Sequence, residues 1–197
     1  MIPNFNQQYT YEEYLKWDTE DRYELIYGVP YLQAAPSTEH QRILANLAFE
    51  LMRYFKGNDD DGKCEVFLSP FDVRMIKNVQ HYDESKVDCV VQPDISVVCD
   101  KSKLDKKGCI GNPDLVVEIL SDSTASKDYI QKLNLYQLNE IKEYWIVSPK
   151  NKDIQIFRLN KEIYGEPDNF KKGEIIKSKL FEGLEVNLAN IFTSYEK

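Results

Sequence analysis

Residues 114–147 read DLVVEILSDSTASKDYIQKLNLYQLNEIKEYWIV, and this stretch decides the fold class. Its two ends, 114–120 and 144–147, are near-continuous apolar runs, which are typical of strands covered on both faces. Between them, residues 124–139 carry the pattern of a helix, with serine and threonine available to cap its start. A strand, a helix and a second strand in this order predict a right-handed crossover and a parallel strand pair.

The segments around this unit extend the predicted sheet and cover it. Apolar residues at spacings of three and four predict an amphipathic helix over 37–55; they are Leu44, Leu47, Leu51 and Phe55. A short helix is predicted over 9–17, capped by Thr10, and a hairpin of 23–27 and 29–34 turns at Gly28. The remaining predicted elements are extended segments over 64–68 and 71–75, a strand over 90–99 and an added outer strand over 154–159. Polar stretches predict loops over 57–63, 77–86 and 164–173, and the tail over 174–197 is weakly patterned. We therefore predict an α/β fold with a mixed central β-sheet flanked by helices.

Length and charge limit the classes of protein to consider. A chain of 197 residues suits one domain, 1–197, which buries a large core without a structural metal. The net charge of −8 argues against a basic protein that coats DNA, but it allows a local basic or metal-bearing groove. No apolar run approaches the roughly 18–20 residues of a membrane span, and residues 1–10 lack the pattern of a signal peptide. We therefore expect no membrane association and a cytoplasmic location.

The cysteines and histidines do not suggest a zinc site. The four cysteines, Cys64, Cys89, Cys99 and Cys109, are scattered without a CxxC pair. The chain has two histidines, His40 and His81, which is few for a Cys/His zinc site. We expect the four cysteines to be reduced and to pack as small hydrophobic residues.

Two acidic residues interrupt the apolar strand segments. Asp94 and Glu118 each lie among β-branched and aliphatic neighbours, where a carboxylate is costly unless it is paired or bound to a metal. Pro93 has no amide donor, so we expect a strand start or a bulge at Asp94. Two carboxylates that project to one side of neighbouring strands predict a site for a hard divalent cation such as Mg²⁺.

These residues and their surroundings resemble a known family. Asp94 in a Pro-Asp pair and Glu118 in a Glu-x-Leu triplet are similar to the motif of the PD-(D/E)XK nuclease superfamily. Four ordered segments, YELIYGVPYLQAAPSTEHQ, VQPDISVVCDKSKL, GCIGNPDLVVEILSDSTASKDYIQKLNLY and EYWIVSPK, resemble the Uma-type restriction endonuclease family. The resemblance implies a restriction-endonuclease-like core over about 10–160, with a C-terminal extension over 161–197.

The resemblance also implies a metal-dependent endonuclease that hydrolyses phosphodiester bonds of nucleic acid, with DNA as the expected substrate. Asp94 and Glu118 would hold Mg²⁺, or Mn²⁺ in its place. The superfamily has a lysine two positions after the second acid, but this chain has Leu120 there. Some members carry that lysine on the neighbouring helix, and Lys132 matches this form. A homodimer is expected by analogy.

Further residues fit accessory roles under the same resemblance. Glu24 would join the metal shell and Tyr136 would bind phosphate, while His40 fits the family pattern and borders the buried stripe of the long helix. Asp114 would contribute near the site or merely end its strand. Four lysines are candidates for a local phosphate-binding cluster or for an ordinary solvated loop; they are Lys101, Lys103, Lys106 and Lys107.

Alternatives stay open at this point for the residues and for the function. In a purely structural interpretation, Asp94 would cap a turn and Glu118 would form a structural salt bridge. Lys132 would lie in solvent, with its aliphatic stem on Tyr129 and Tyr136. Likewise, His40 and Tyr136 would be ordinary packed residues. The absent strand lysine motivates a second function class, a binding or interaction module with little or no cleavage. A third class, two carboxylates acting on a glycoside, fits the adjacent lysine and the parallel α/β setting poorly.

Overall fold

The computed structural model describes residues 3–57, 64–77, 79–121 and 125–193. The helices are α1 (Tyr11–Tyr14), α2 (Thr38–Gly57), α3 (Ala125–Leu138) and α4 (Leu188–Ile191), and 3-10 helices cover Val79–His81, Glu84–Lys86 and Lys101–Lys103. The strands are β1 (Tyr23–Ile26), β2 (Val29–Leu32), β3 (Glu65–Leu68), β4 (Val73–Arg74), β5 (Val90–Val91), β6 (Ile95–Val98), β7 (Leu104–Asp105), β8 (Gly108–Ile110), β9 (Leu115–Ile119), β10 (Glu143–Ser148), β11 (Asp153–Asn160), β12 (Ile163–Tyr164), β13 (Asp168–Lys171), β14 (Ile175–Lys177) and β15 (Glu185–Asn187).

Within these residues the strands form two main sheets and a two-stranded ribbon. The first sheet has the order β2-β1-β5-β4-β8-β7. The second has the order β12-β11-β10-β9-β6-β3, with β13 also paired to β11, and β14 and β15 form the ribbon. β9 and β10 are parallel and joined through α3, whereas β6 is antiparallel to β9. The predicted α/β class with a mixed sheet is confirmed, and so is the parallel pair at its centre.

The segment predicted as one strand over 90–99 is divided between the two sheets. Val90–Val91 pairs within the first sheet, and Ile95–Val98 pairs within the second. Pro93 lies between them and cannot donate a ladder hydrogen bond, so neither strand continues through it. Asp94 therefore lies directly before β6, at the point where the chain passes from one sheet to the other.

Both faces of the second sheet are buried, which explains the near-continuous apolar runs of its central strands. Val117 and Trp145 lie on the face that packs against α2, α4 and the β14–β15 ribbon. Val116 and Ile146 lie on the opposite face, which packs against α3. Because side chains alternate along a strand, Glu118 shares the α3-facing side with Val116.

Several segments are more ordered than their sequence patterns predict. The stretch predicted as a loop over 164–173 contains β13, which pairs with β11, so β11 is not an outer strand. The weakly patterned tail forms the ribbon and α4, and it buries Ile176, Val186 and Ile191 in the main core. These elements are short and gain their stability from packing, so a pattern search over single segments does not find them. The loop predicted over 57–63 lies, beyond its first residue, outside the described chain.

The prediction that all four cysteines are reduced is wrong for one pair. Cys64 and Cys99 form a disulfide, whereas Cys89 and Cys109 are free and buried as predicted. The antiparallel register of β3 and β6 sets Glu65 opposite Val98, so Cys64 and Cys99 occupy the next opposed position. Opposed residues of neighbouring strands bring their β-carbons within reach of a disulfide.

The helix α2 has the amphipathic character that the sequence predicts. Leu44, Leu47 and Leu51 are buried against the second sheet, while Phe49 faces solvent with 64% of its surface exposed. This division into one apolar face and one exposed face is typical of a helix that covers a sheet. Among the described helices, none combines the length and the apolar composition needed to cross a membrane.

A matched pair of substitutions on α2 tests this packing. Leu47→Ala should lower the free energy of unfolding by about 2–5 kcal/mol, because it leaves a cavity in the core. Phe49→Ala on the same helix should change it by less than about 0.5 kcal/mol, because the ring is exposed. Urea unfolding followed by circular dichroism measures both values. Similar losses for the two variants would show that α2 does not pack as described.

Candidate active site

Asp94 and Glu118 meet at one edge of the second sheet. In the antiparallel pair of β6 and β9, Ile95 lies opposite Val117. Extending this register by one residue sets Asp94 opposite Glu118. Opposed residues of an antiparallel pair project to the same face with their β-carbons about 4.5–5.5 Å apart. The structure therefore brings the two predicted carboxylates together on the face covered by α3.

Asp94 is held through one of its two carboxylate oxygens. The amide of Ile119 donates to Asp94 Oδ2 at 2.7 Å, and His40 Nε2 lies 3.2 Å from the same oxygen. His40 is placed at the start of α2, where its own amide donates to Ser37 Oγ at 3.1 Å. Among the described residues no group donates to Asp94 Oδ1. One oxygen is therefore fixed by the protein, and the other is available for a ligand.

Lys132 bridges two carboxylates from different sheets. Its Nζ donates to Glu118 Oε1 at 2.8 Å and to Glu24 Oε1 at 2.9 Å. Only 9% of the Lys132 surface is exposed, which excludes the alternative in which it lies in solvent. Because Tyr136 is one helical turn further along α3, it shares the same face, and its hydroxyl donates to Glu118 Oε1 at 2.5 Å. The side chain of Tyr129 lies outside the described part of the chain.

Glu24 is buried on β1 and has both of its oxygens occupied. Besides Lys132, the amide of Gln92 donates to Glu24 Oε1 at 2.8 Å, and Gln33 Nε2 donates to Oε2 at 3.1 Å. The carboxylate therefore holds Lys132 and accepts hydrogen bonds at both oxygens, and the predicted place of Glu24 in a metal shell stays a prediction. Sequence reasoning missed both glutamines, and Gln92 contributes through its backbone, which no side-chain motif reveals.

The electrostatics of the site are dominated by burial and by an excess of negative charge. The pKa of Glu118 is raised to about 7, chiefly by burial. The positive charge of Lys132 partly offsets this effect, whereas the negative charges of Glu24 and Asp94 add to it. Burial alone would lower the pKa of Lys132, but the charges of Glu118 and Glu24 more than offset this and hold it above its ordinary value. The pKa of His40 is likewise raised by Asp94 against the effect of burial. The ammonium of Lys132 therefore stays charged beside carboxylates that it does not fully neutralise.

The site opens into a cleft of about 880 Å³. The cleft is lined by Glu24, His40, Asp94, Glu118 and Lys132, together with the segment 31–37 that leads into α2. Tyr136 lies behind this surface and reaches the site through Glu118. The arrangement can place a polar substrate against two carboxylates and one fixed ammonium.

Other predicted residues do not belong to the cleft. Asp114 lies at the opposite end of β9, where it accepts hydrogen bonds from Lys142 Nζ at 2.6 Å and from the amide of Cys99 at 2.9 Å. The four candidate lysines of the phosphate-binding cluster do not line the cleft either; they are Lys101, Lys103, Lys106 and Lys107. Lys107 instead pairs with Glu84 at 2.6 Å, which supports the alternative of a solvated loop.

The donor set at the sheet edge suits a hard cation with few protein ligands. Within the described ranges, no three His, Cys, Asp or Glu residues are grouped so that they could hold a metal ion. Asp94 and Glu118 each have one carboxylate oxygen to which no described group donates. Mg²⁺ takes oxygen ligands, is commonly bound through one or two carboxylates and keeps several waters, so these two residues fit it.

The sequence matches a known family and is similar to two further proteins. The model of the Uma2 family, described as "Putative restriction endonuclease", matches residues 11–189. Two proteins of Synechocystis are similar in sequence. One, "Uncharacterized protein slr1290", is 32% identical over 152 residues, covering 76% of this chain and 73% of its own length. The other, "Uncharacterized protein sll1609", is 26% identical over 143 residues, covering 70% of this chain and 73% of its own.

A solved structure shares the fold. It is the crystal structure of "a putative nuclease belonging to DUF820" from Anabaena variabilis, which superposes with a TM-score of 0.71 at 18% sequence identity. The match covers 93% of this chain and 97% of that one. The likeness therefore extends over nearly the whole of both chains.

The protonation of Glu118 provides a test of the buried site. Its carboxyl should titrate near pH 7, and Lys132→Met should raise this midpoint further because it removes the nearby cation. Since the folded pKa lies above the ordinary value of 4.5, the stability that protonated Glu118 contributes is complete below pH 4.5 and is lost as pH rises through about 7. NMR of the carboxyl carbon measures the midpoint.

Lys142→Met is the matched control, because it removes a lysine from a carboxylate at the other end of β9. This variant should leave the Glu118 midpoint unchanged. A midpoint near 4.5 that does not respond to Lys132→Met would contradict the described burial and pairing.

Proposed function

The chain belongs to the Uma2 family, described as "Putative restriction endonuclease", and we propose that it is a metal-dependent endonuclease that hydrolyses phosphodiester bonds of DNA. The observation that carries the proposal is the convergence of Asp94, Glu118 and Lys132 at one sheet edge inside an open cleft. The resemblance seen in the sequence to the Uma-type family is confirmed by the family match. The catalytic assignments below are proposals that this geometry supports.

Asp94 and Glu118 would hold the divalent cation, which we take to be Mg²⁺ with Mn²⁺ as a substitute. A cation bound there lowers the pKa of its water and neutralises charge on the scissile phosphate. Each carboxylate offers one oxygen, because the other is fixed by protein donors. His40 and the Ile119 amide orient Asp94, and Tyr136 orients Glu118. The two acids are thus positioned before any ligand arrives.

Lys132 supplies a fixed positive charge at the reacting phosphate. A lysine ammonium is a compact point charge, which suits stabilisation of negative charge that develops in the transition state. Its pairing with Glu24 keeps it ionised and restricts its position, because Glu24 is itself held by Gln33 and by the Gln92 amide. Glu24 is therefore a positioning residue for Lys132 in this proposal.

Stability alone does not account for this arrangement. Three carboxylates and one ammonium are withdrawn from water, and the cost of removing charges from water often exceeds the gain from pairing them. Strongly perturbed ionisable groups in a cleft are a recognised mark of a functional site. The proposal extends to one nuclease domain over 1–197; a homodimer and a cytoplasmic location stay predictions.

Cleavage of plasmid DNA with Mg²⁺ or Mn²⁺ tests the proposal. Lys132→Met should fold, keep metal binding and lower the cleavage rate by roughly 100-fold or more, the scale for losing one charge-stabilising donor. Asp94→Asn should lose metal affinity together with activity, because it removes a charged ligand. Lys142→Met should cleave like the parent protein. Thermal melts check the folding of each variant, and Lys132→Gln serves as a second variant if the first is unstable.

Different results would contradict different parts of the proposal. If Lys132→Met cleaves as fast as the parent while Asp94→Asn does not, Lys132 has no catalytic role. If the folded parent cleaves neither DNA nor RNA with either metal, the chain is a binding or interaction module instead. Cleavage of RNA but not of DNA would change the substrate class.

A further inference from the structure

Two cations of the cleft are not used by the site described above. Arg22 and Lys150 line the same cleft as the carboxylates, but both are exposed at its mouth. Among the described residues, no carboxylate forms an ion pair with either of them. In a chain with a net charge of −8, these two cations lie beside an acidic centre without being paired to it.

Arg22 and Lys150 lie on opposite sides of the acidic pair. On one side, Arg22 Nη1 donates to Ser69 Oγ at 3.4 Å, and Ser69 directly follows β3 with its amide donating to the Asp94 carbonyl at 3.2 Å. On the other side, Lys150 follows the end of β10, where the Leu120 amide donates to the Val147 carbonyl at 2.9 Å. The ends of β10, β9, β6 and β3 therefore line up along one edge.

The distance along this edge from the Lys150 side to the Arg22 side follows from the spacing of the strands. Neighbouring strands lie about 4.8 Å apart, so the step from β10 to β3 spans about 14 Å, with Glu118 and Asp94 on the two strands between. A nucleic-acid backbone carries one negative charge per nucleotide, so a segment laid along this edge presents evenly spaced charges to it. The edge thus offers a cation, an acidic metal-binding pair and a second cation in a row.

We propose that Arg22 and Lys150 bind the backbone phosphates on either side of the scissile phosphate, so that one nucleic-acid strand lies along the ends of β10, β9, β6 and β3. This inference rests on the proposed function, because it takes the phosphate between the two cations to be the one cleaved. Glu39 also lines the cleft, on the wall formed by α2, and repels phosphate from that side. The track therefore follows the sheet edge and not the helix. Arg22 presents a planar fork of donors to its phosphate, whereas Lys150 acts as a point charge.

Binding measured against salt concentration tests this assignment. The Asp94→Asn protein, in which cleavage is suppressed, is titrated onto a fluorescein-labelled DNA duplex at several salt concentrations, and anisotropy gives the affinity. Adding Arg22→Gln or Lys150→Gln should each reduce the slope of log affinity against log salt by about 0.9, and should weaken binding at 0.1 M salt by roughly fivefold to tenfold. Lys161→Gln makes the same change of charge at an exposed site outside the cleft and should alter neither quantity.

The outcomes separate this inference from the function on which it rests. Slopes and affinities equal to those of Lys161→Gln overturn the roles of Arg22 and Lys150. If the parent cleaves DNA while the two substitutions leave binding unchanged, the proposed function stands and the phosphate track does not. If the parent neither binds nor cleaves DNA, both are overturned.

Discussion

The site depends on one buried interaction, the bridge from Lys132 to Glu118 and Glu24. The three residues come from α3, from β9 in the second sheet and from β1 in the first, so a single ammonium joins the two sheets and the helix above them. Removing one member of a buried ion pair in proteins costs about 3–5 kcal/mol, because the remaining charge is left without a partner. Among the described residues that line the cleft, the bridge therefore fixes the position of the only buried ammonium. It also leaves an excess of negative charge that a bound cation would relieve.

A second constraint, the register of β6 against β9, aligns the two acids. Pro93 ends the ladder of the first sheet, so the chain turns into the second sheet and presents Asp94 opposite Glu118. The hydrogen bond from the Ile119 amide to Asp94 then couples the side chain to the backbone of the neighbouring strand. A slip of one residue in this register would turn one carboxylate to the opposite face of the sheet. The fold thus specifies the pair through ordinary strand pairing.

The sequence reveals those features that depend on local patterns. The unit from β9 through α3 to β10 follows from two apolar runs and one helical pattern, and Asp94 and Glu118 stand out because carboxylates interrupt those runs. Only the family resemblance indicates Lys132, since the crossing of α3 over the sheet is what brings it to Glu118. The sequence does not reveal Gln33 and the Gln92 amide, because both reach Glu24 through the pairing of β1 with β2 and with β5, which no local pattern shows. The lysines over 101–107 do not line the cleft, since a charge run in sequence does not indicate which face of the fold it lies on.

The most direct measurement is a crystal structure of the protein with Mn²⁺, using anomalous scattering to locate the metal. We expect a single strong anomalous peak in the cleft, bound by one oxygen of Asp94 and one oxygen of Glu118, with Lys132 still close to Glu118. The carboxylate oxygens that already accept hydrogen bonds from the Ile119 amide and from Tyr136 should keep those bonds. If saturating Mn²⁺ gives no peak between these two residues, or if the metal binds elsewhere while the buried bridge is unchanged, then Asp94 and Glu118 do not form a metal-binding pair.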